Sequence, residues 1–203
     1  DGRVDYTVEG GVFSVGSAID WMVRSGWLSS AKASSDMAFS VTDSGGVSMV
    51  PGFTGLSAPH WESNARASIT GLGLDTEPGH IARALLDGIA FQCADIVHAL
   101  NTKLNGSIQE VRADGGPSKN CYLMQRQSDL LNMPVLVSRE PDMTALGAAY
   151  LAAIGAGQMT TRDVVAIKQD ADIYEPSMGT DERTDLWAKW QTSVHDVCKK
   201  IKA

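Results

Sequence analysis

The sequence predicts a single α/β domain, and three observations carry that prediction. Short apolar runs bounded by turn residues recur along the chain, as strands do. Between them lie stretches with apolar residues at intervals of three and four, the spacing of amphipathic helices. The run Val111 to Asn120 joins an apolar stretch, two glycines and the start of a helical segment within a few residues. The 203 residues are enough for one large domain or two small ones, and no repeat, low-complexity segment or linker divides them. Strands first, then alternating helix and strand, make one α/β unit the expectation.

Tyr6 to Phe13 alternate enough to predict a strand, with Gly10 and Gly11 loosening its middle. Val15, Ile19 and Met22 share a helical spacing over Val15 to Arg24. The polar stretch Ser29 to Ser44 predicts a short helix and then a loop through Gly45 and Gly46. Val47 to Phe53 reads as a buried strand, and Ala67 to Leu74 as another after a turn containing Pro59 and Trp61. Thr76 is placed to cap a helix whose first turn holds Pro78. Ile81, Leu85, Ile89, Cys93, Ile96, Leu100 and Leu104 then trace one stripe, predicting a helix of roughly 25 residues. Gln109 to Ala113 is the strand before the glycines, Ser118 to Leu131 the helix after them, and Pro134 to Val137 a further strand. From Thr144 the chain reads as a helix of mostly small side chains, suited to close packing on a neighbouring element. About Asp181 to Ile201 a last helix sets Trp187, Trp190, Val194, Val197 and Ile201 on one face.

Composition narrows the function classes. Hydrophobic residues make up 43% of the chain, which suits a globular core, and no segment has the apolar length of a membrane span. A net charge of −7 with no basic block argues against nucleic acid or an anionic membrane as the main partner. The first residues lack the basic start and apolar centre of a signal peptide. Cys93, Cys121 and Cys198 are odd in number and widely spaced, which predicts buried reduced thiols and a cytoplasmic protein.

The chemistry is expected at Ala113-Asp114-Gly115-Gly116. A strand, a glycine turn and a helix start bring bare backbone N–H groups and a positive helix end to one place, a setting for a nucleotide. The GxxxxGK[ST] spacing of a Walker loop is absent, and so is the third glycine of a Rossmann fingerprint. A plain strand-to-helix corner is the alternative. His60, His80, His98 and His195 form no metal-spaced pair, and no Ser or Cys triad is visible, so no catalytic or metal-binding residue is assigned.

Several segments together resemble a known family. Ala113-Asp114-Gly115-Gly116-X-X-X-Asn120, Leu123-Met124-Gln125-X-Gln127-Ser128-Asp129 and Thr144-Ala145-Leu146-Gly147-Ala148-Ala149-Tyr150-Leu151-Ala152 are similar to the C-terminal lobe of the FGGY carbohydrate kinases. Tyr6-X-X-Glu9-Gly10-X-X-Phe13-X-X-Gly16, the loop Val50 to Trp61, and Ala65-Arg66 leading to Gly71-Leu72 agree in order, and Trp187-X-X-Trp190 falls in a terminal helix. The likeness covers nearly the whole chain and is greatest to the glycerol-phosphorylating branch. It implies an actin-like, ribonuclease-H-like ATPase lobe, a mixed sheet flanked by helices. It further implies that residues 1–203 are a C-terminal nucleotide-binding lobe, begun partway, whose own N-terminal lobe supplies the polyol contacts, the base and most Mg²⁺ ligands.

By the same resemblance the ligand is ATP or ADP with Mg²⁺, and Gly16, Asp20, Gly115, Gly116 and Asn120 are the nucleotide-contacting positions. Gly115 and Gly116 would admit the α-phosphate and ribose, and Asn120 would meet the adenine region; a first-turn helix polar group is the plain reading of Asn120. Asp20 stands where the glycerol-phosphorylating branch of that family commonly has Gln and so departs from the pattern; a carboxylate accepts from an exocyclic amine but cannot donate. An exposed helix charge is its plain reading. Asp114 could hold a Mg²⁺-bound water, or simply cap its turn. For the loop around Pro51 to Trp61 a structural corner with a packed Trp61 is favoured. The resemblance also implies dimers or tetramers. It leaves open another acceptor, such as erythritol or a ketopentose like xylulose, and a non-catalytic actin-like module that senses nucleotide.

Overall fold

The structure, a computed structural model, describes residues 7–140, 142–167 and 170–202, with side chains as far as residue 200. Its elements run α1 (Gly16–Arg24), α2 (Ala33–Phe39), β1 (Ser48–Val50), β2 (Ser68–Thr70), α3 (Pro78–Lys103), β3 (Val111–Ala113), a 3₁₀ turn (Gly116–Lys119), α4 (Cys121–Leu131), β4 (Val135–Ser138), α5 (Met143–Gly155), α6 (Thr161–Ala166), β5 (Ala171–Tyr174) and α7 (Thr180–Lys202).

The core is built around α3. The expected single stripe is in fact an all-round surface: Ile81, Ala82, Ala84, Leu85, Leu86, Ile89, Ala90, Phe91 and Ala94 are all buried. The cause is neighbours on several sides, since α4, α2 and β1 all pack against α3. Burying a side chain such as Leu86 or Ile89 contributes about 1.5–3 kcal/mol, so this helix is the main apolar reservoir of the fold. Leu104, the last residue of the expected stripe, is the C-cap and is exposed. On α7, Trp190, Val194 and Val197 are buried as expected and Trp187 packs at the edge; the Ile201 side chain lies outside the described residues.

Two sheets are present. β1 and β2 pair antiparallel, and β3, β4 and β5 form a mixed sheet in that order, β3 parallel to β4 and β5 antiparallel to it. The α/β expectation of a mixed sheet flanked by helices is met.

Several expectations are corrected. Residues 7–13 form no strand; Val8 and Phe13 stay exposed, and the Gly10-Gly11 pair has no ladder partner among the described residues to hold it extended. Tyr6 lies outside them. Thr76 does not cap α3: its Oγ1 accepts from the Gly73 N–H at 2.9 Å and closes the preceding turn. Glu77 is the N-cap, its N–H donating to His80 Nδ1 at 3.0 Å, while Pro78 takes the first helical position as expected. None of the residues of the small-residue helix α5 is fully buried, and Met143, Leu146, Gly147, Tyr150, Ala153 and Ile154 are half-buried, so the expected close packing is not seen. Trp61 is 75% exposed instead of packed, at a φ of 53°. Cys121 is exposed, contrary to the expected buried thiols, although none of the three cysteines forms a disulfide. Burial does push the Cys93 thiol up to about 11. No helix among the described residues is long and apolar enough to cross a membrane.

Candidate functional site

The glycine turn is a backbone device. Gly115 has φ 84°, a conformation that side-chain-bearing residues rarely adopt. Its carbonyl accepts from the Ser118 hydroxyl at 2.7 Å and the Ser118 N–H at 3.2 Å, which closes the 3₁₀ turn. A Cβ added at Gly115 or Gly116 would find no atom within 4 Å, so the chain presents open backbone there.

Asn120 ends the turn and starts α4. Its Oδ1 accepts from the Leu123 N–H at 2.9 Å, an N-cap, and its Nδ2 donates to Ser34 Oγ on α2 at 2.9 Å. Ser35 Oγ accepts from the Tyr122 N–H at 3.2 Å. Two adjacent serines of α2 thus hold the start of α4, and with it the glycine turn. The first-turn role weighed for Asn120 is present in full, and both ends of its amide are engaged.

A buried polar frame lies beneath. Arg126 grips Asp87 with two bonds, 2.7 Å from Nε and 2.9 Å from Nη2, and the Tyr122 hydroxyl donates to Asp87 Oδ1 at 2.6 Å. Burial and then the Asp87 charge hold the Tyr122 hydroxyl far above its usual range. Burial disfavours the Arg126 charge, but Asp87 outweighs it and keeps the guanidinium above its ordinary value. Arg83 sits over the Tyr122 ring, 5.3 Å from its centroid, and donates to the Val41 carbonyl at 2.8 Å. These residues were missed from the sequence, although an aspartate inside Leu85-Leu86-Asp87-Gly88-Ile89 was a legible signal: a carboxylate there must find a partner.

Gly16 and Asp20 are placed apart from this frame, on α1. Both are exposed, and a Cβ at Gly16 would meet nothing within 4 Å. No hydrogen bond among the described residues ties α1 to the glycine turn. Asp114 is exposed and borders a hollow of about 130 Å³ with Arg112, Met143 and Asp170. No group of three or more His, Cys, Asp or Glu among the described residues could hold a metal ion. A larger cavity of about 810 Å³, between β1, β2, α3 and α7, is lined by none of the five sequence-predicted positions.

The histidines hold a second surprise. His60 Nε2 lies 2.8 Å from Asp95 Oδ2, and the same oxygen accepts from Trp190 Nε1 at 2.8 Å. Sequence spacing could not show this, since the three residues come from a loop, α3 and α7.

Residues 1–156 match the FGGY family of carbohydrate kinases, C-terminal domain. The chain belongs to this family. A glycerol kinase of Dechloromonas aromatica (strain RCB) is 42% identical over 195 residues, 95% of this chain and 39% of the relative. One from Acinetobacter baylyi is 40% identical over 191 residues, 93% of this chain and 39% of the relative. Among solved structures, Plasmodium falciparum glycerol kinase with ADP superposes with a TM-score of 0.81 at 35% identity, covering 90% of this chain and 37% of that one. A ligand-bound xylulose kinase from Lactobacillus acidophilus gives 0.74 at 22% identity, over 96% and 39%, and shares the fold. The chain therefore spans about two-fifths of the length of the relatives it matches. As an FGGY lobe it has the expected actin-like architecture.

Proposed function

We propose that residues 1–203 form the nucleotide-binding C-terminal lobe of a glycerol kinase, which transfers the γ-phosphoryl group of ATP to a terminal hydroxyl of glycerol, giving ADP and glycerol 3-phosphate. The observation that carries this reading is the open glycine turn at Gly115-Gly116 in a chain about 40% identical to glycerol kinases. Phosphoryl transfer asks the protein for positioning and charge stabilisation more than for covalent chemistry. In this reading the turn admits the α-phosphate and ribose to bare backbone, and α1 offers Gly16 and Asp20 from another side. Asn120, with its amide engaged by α2 and α4, contributes by fixing the turn and bordering the adenine region.

The acceptor hydroxyl, the base and the closure that excludes water belong to the partner lobe. The unburied, uncharged helix α5 supports a lobe that is one part of a larger body, because a helix apolar all round is normally covered. Among the described residues no group of three or more His, Cys, Asp or Glu could hold a magnesium ion; Asp114 and Asp170 border one small hollow, and no step is derived through the ion. Cysteines without disulfides fit a reducing, cytoplasmic setting, and self-association into dimers or tetramers belongs to the same reading.

Calorimetric titration of the chain with ATP tests the site. Gly116→Val has room in the fold, yet places a branched side chain where the nucleotide would approach, so affinity should drop about tenfold or more, on the order of 1.4 kcal/mol. Unchanged affinity removes the turn from the site. Enzyme-like turnover of glycerol and MgATP by these residues alone would overturn the division between lobes.

A further inference from the structure

The start of α1 lacks a local fastening. Its N-cap is Val15, whose side chain cannot accept a hydrogen bond, and the first turn holds no acidic residue. The segment before it, residues 7–15, has no regular structure. Something else must fix where α1 begins, and the structure shows what does. Ser14 Oγ and Thr54 Oγ1 are 3.3 Å apart, and the Ser57 hydroxyl donates to the Gly11 carbonyl. The loop around residues 51–62 thus grips residues 11–14, just ahead of Gly16. On the other side Gly10 abuts Ile96 of α3 so closely that a Cβ would meet its Cγ2 at 2.4 Å.

That loop is itself a closed ring. Leu56 and Glu62 exchange two backbone bonds of 2.9 and 3.0 Å, and the Trp61 N–H donates to the Ser57 carbonyl at 2.9 Å. Leu56, 1% exposed, seats it in the core, Phe53 packs on Trp21 of α1 at 5.0 Å between centroids, and His60 adds a polar tie to α3, meeting Asp95 Oδ2 at 2.8 Å. Asp95 is oriented in turn by Trp190, buried at 3% exposure and stacked on Phe91 at 5.1 Å between centroids. A carboxylate oxygen has lone pairs for both donors, so Trp190 and His60 share it without competition.

We propose that Asp95 is a positioning residue for the start of α1 at Gly16, acting through His60 and the 51–62 loop. The connection runs from the Trp190-held carboxylate to His60, along the ring to Thr54 and Ser57, and across to residues 11–14. It sets the angle at which Gly16 and Asp20 meet the nucleotide. The inference rests on the reading of Gly16 as a nucleotide contact.

The test is ATP affinity of the chain, measured beside its melting temperature, for Asp95→Ala, His60→Ala, their double variant, His60→Gln and Gly116→Val. Asp95→Ala and His60→Ala should each weaken ATP binding about three- to tenfold, and the double variant should be no worse than either single one. His60→Gln, which restores a side-chain N–H donor, should recover most of the affinity. His60 lies on a surface loop, so its variants report even where Asp95→Ala fails to fold. A lower melting temperature with unchanged ATP affinity in the His60 and Asp95 variants would reduce the network to a structural tie and overturn the proposal. If Gly116→Val weakens binding while these variants do not, the positioning role falls and the nucleotide site stands. If the wild-type chain does not bind ATP, both fall together.

Discussion

Helices α3 and α5 are both rich in apolar residues, and they live in opposite surroundings. α3 is buried on almost every side through its first five turns, with Gly88 pressed against the backbone of β1. α5, Met-Thr-Ala-Leu-Gly-Ala-Ala-Tyr-Leu-Ala-Ala-Ile-Gly, carries no charge and yet buries none of its residues; Leu151 is 72% exposed. Apolar character fixes what a helix needs and leaves open what meets the need. In α3 the chain meets it with its own elements, and in α5 it does not. The difference also appears in what each helix can tolerate.

The sharpest test removes Asp87, a carboxylate sunk in the α3 core. Asp87→Ala leaves Arg126 as a buried charge without its partner and the Tyr122 hydroxyl without its acceptor. A loss of about 3–5 kcal/mol is expected in urea unfolding. A loss below about 1 kcal/mol would show the α3 interior to be wetter than the geometry implies.

Next comes a matched pair of glycines. At Gly88 a Cβ would lie 2.3 Å from the Met49 carbonyl oxygen and 2.8 Å from Pro51 Cδ, so Gly88→Ala should cost about 1–3 kcal/mol. At Gly147 a Cβ meets nothing within 4 Å, and Gly147→Ala should stabilise α5 by about 0.5–1 kcal/mol through lost backbone freedom in the unfolded chain. Denaturation midpoints of the two variants should move in opposite directions. Movement in the same direction would mean that α5 is not the open helix described here.

The smallest effect concerns pH. His98 lies near the end of α3, 4.8 Å from the Trp187 ring, and burial lowers its pKa below 6.5 against an opposing pull from Asp95. The unfolded chain therefore binds a proton at a higher pH than the folded one does. Stability should fall as pH drops through 6.5 and level off once the folded histidine is protonated too. His98→Gln should flatten this slope in melting curves between pH 7 and 5. An unchanged slope would assign it to another group, though not to α5, whose titratable side chain is Tyr150 alone.

How much of this was legible beforehand depended on distance along the chain. The glycine turn, its flanking strand and helix, and the long helix after Pro78 could be read from local pattern. Neighbouring residues decide such elements. Asn120 was legible as a helix-start residue, but its tie to Ser34 spans 86 positions. The His60–Asp95–Trp190 cluster was invisible for the same reason. The predicted strand at Tyr6 to Phe13 failed because alternation describes a willing strand and says nothing of a partner to pair with. β5 went unseen for the converse reason: Ala171–Tyr174 has little apolar alternation and owes its extended form to β4. Trp61 misled because a tryptophan is normally worth burying, whereas the loop turns it outward.

Cys121 gives the molecule an unplanned convenience. It is exposed at the first position of α4, next to Asn120, and shares a hydrogen bond that pushes the Tyr174 hydroxyl up to about 12. Cys93, held protonated inside α3, is inert by comparison. With Cys198 half-buried on α7, Cys121 is the most exposed of the three thiols, and a thiol-directed dye placed there would report on the edge of the glycine turn at which nucleotide binding is proposed.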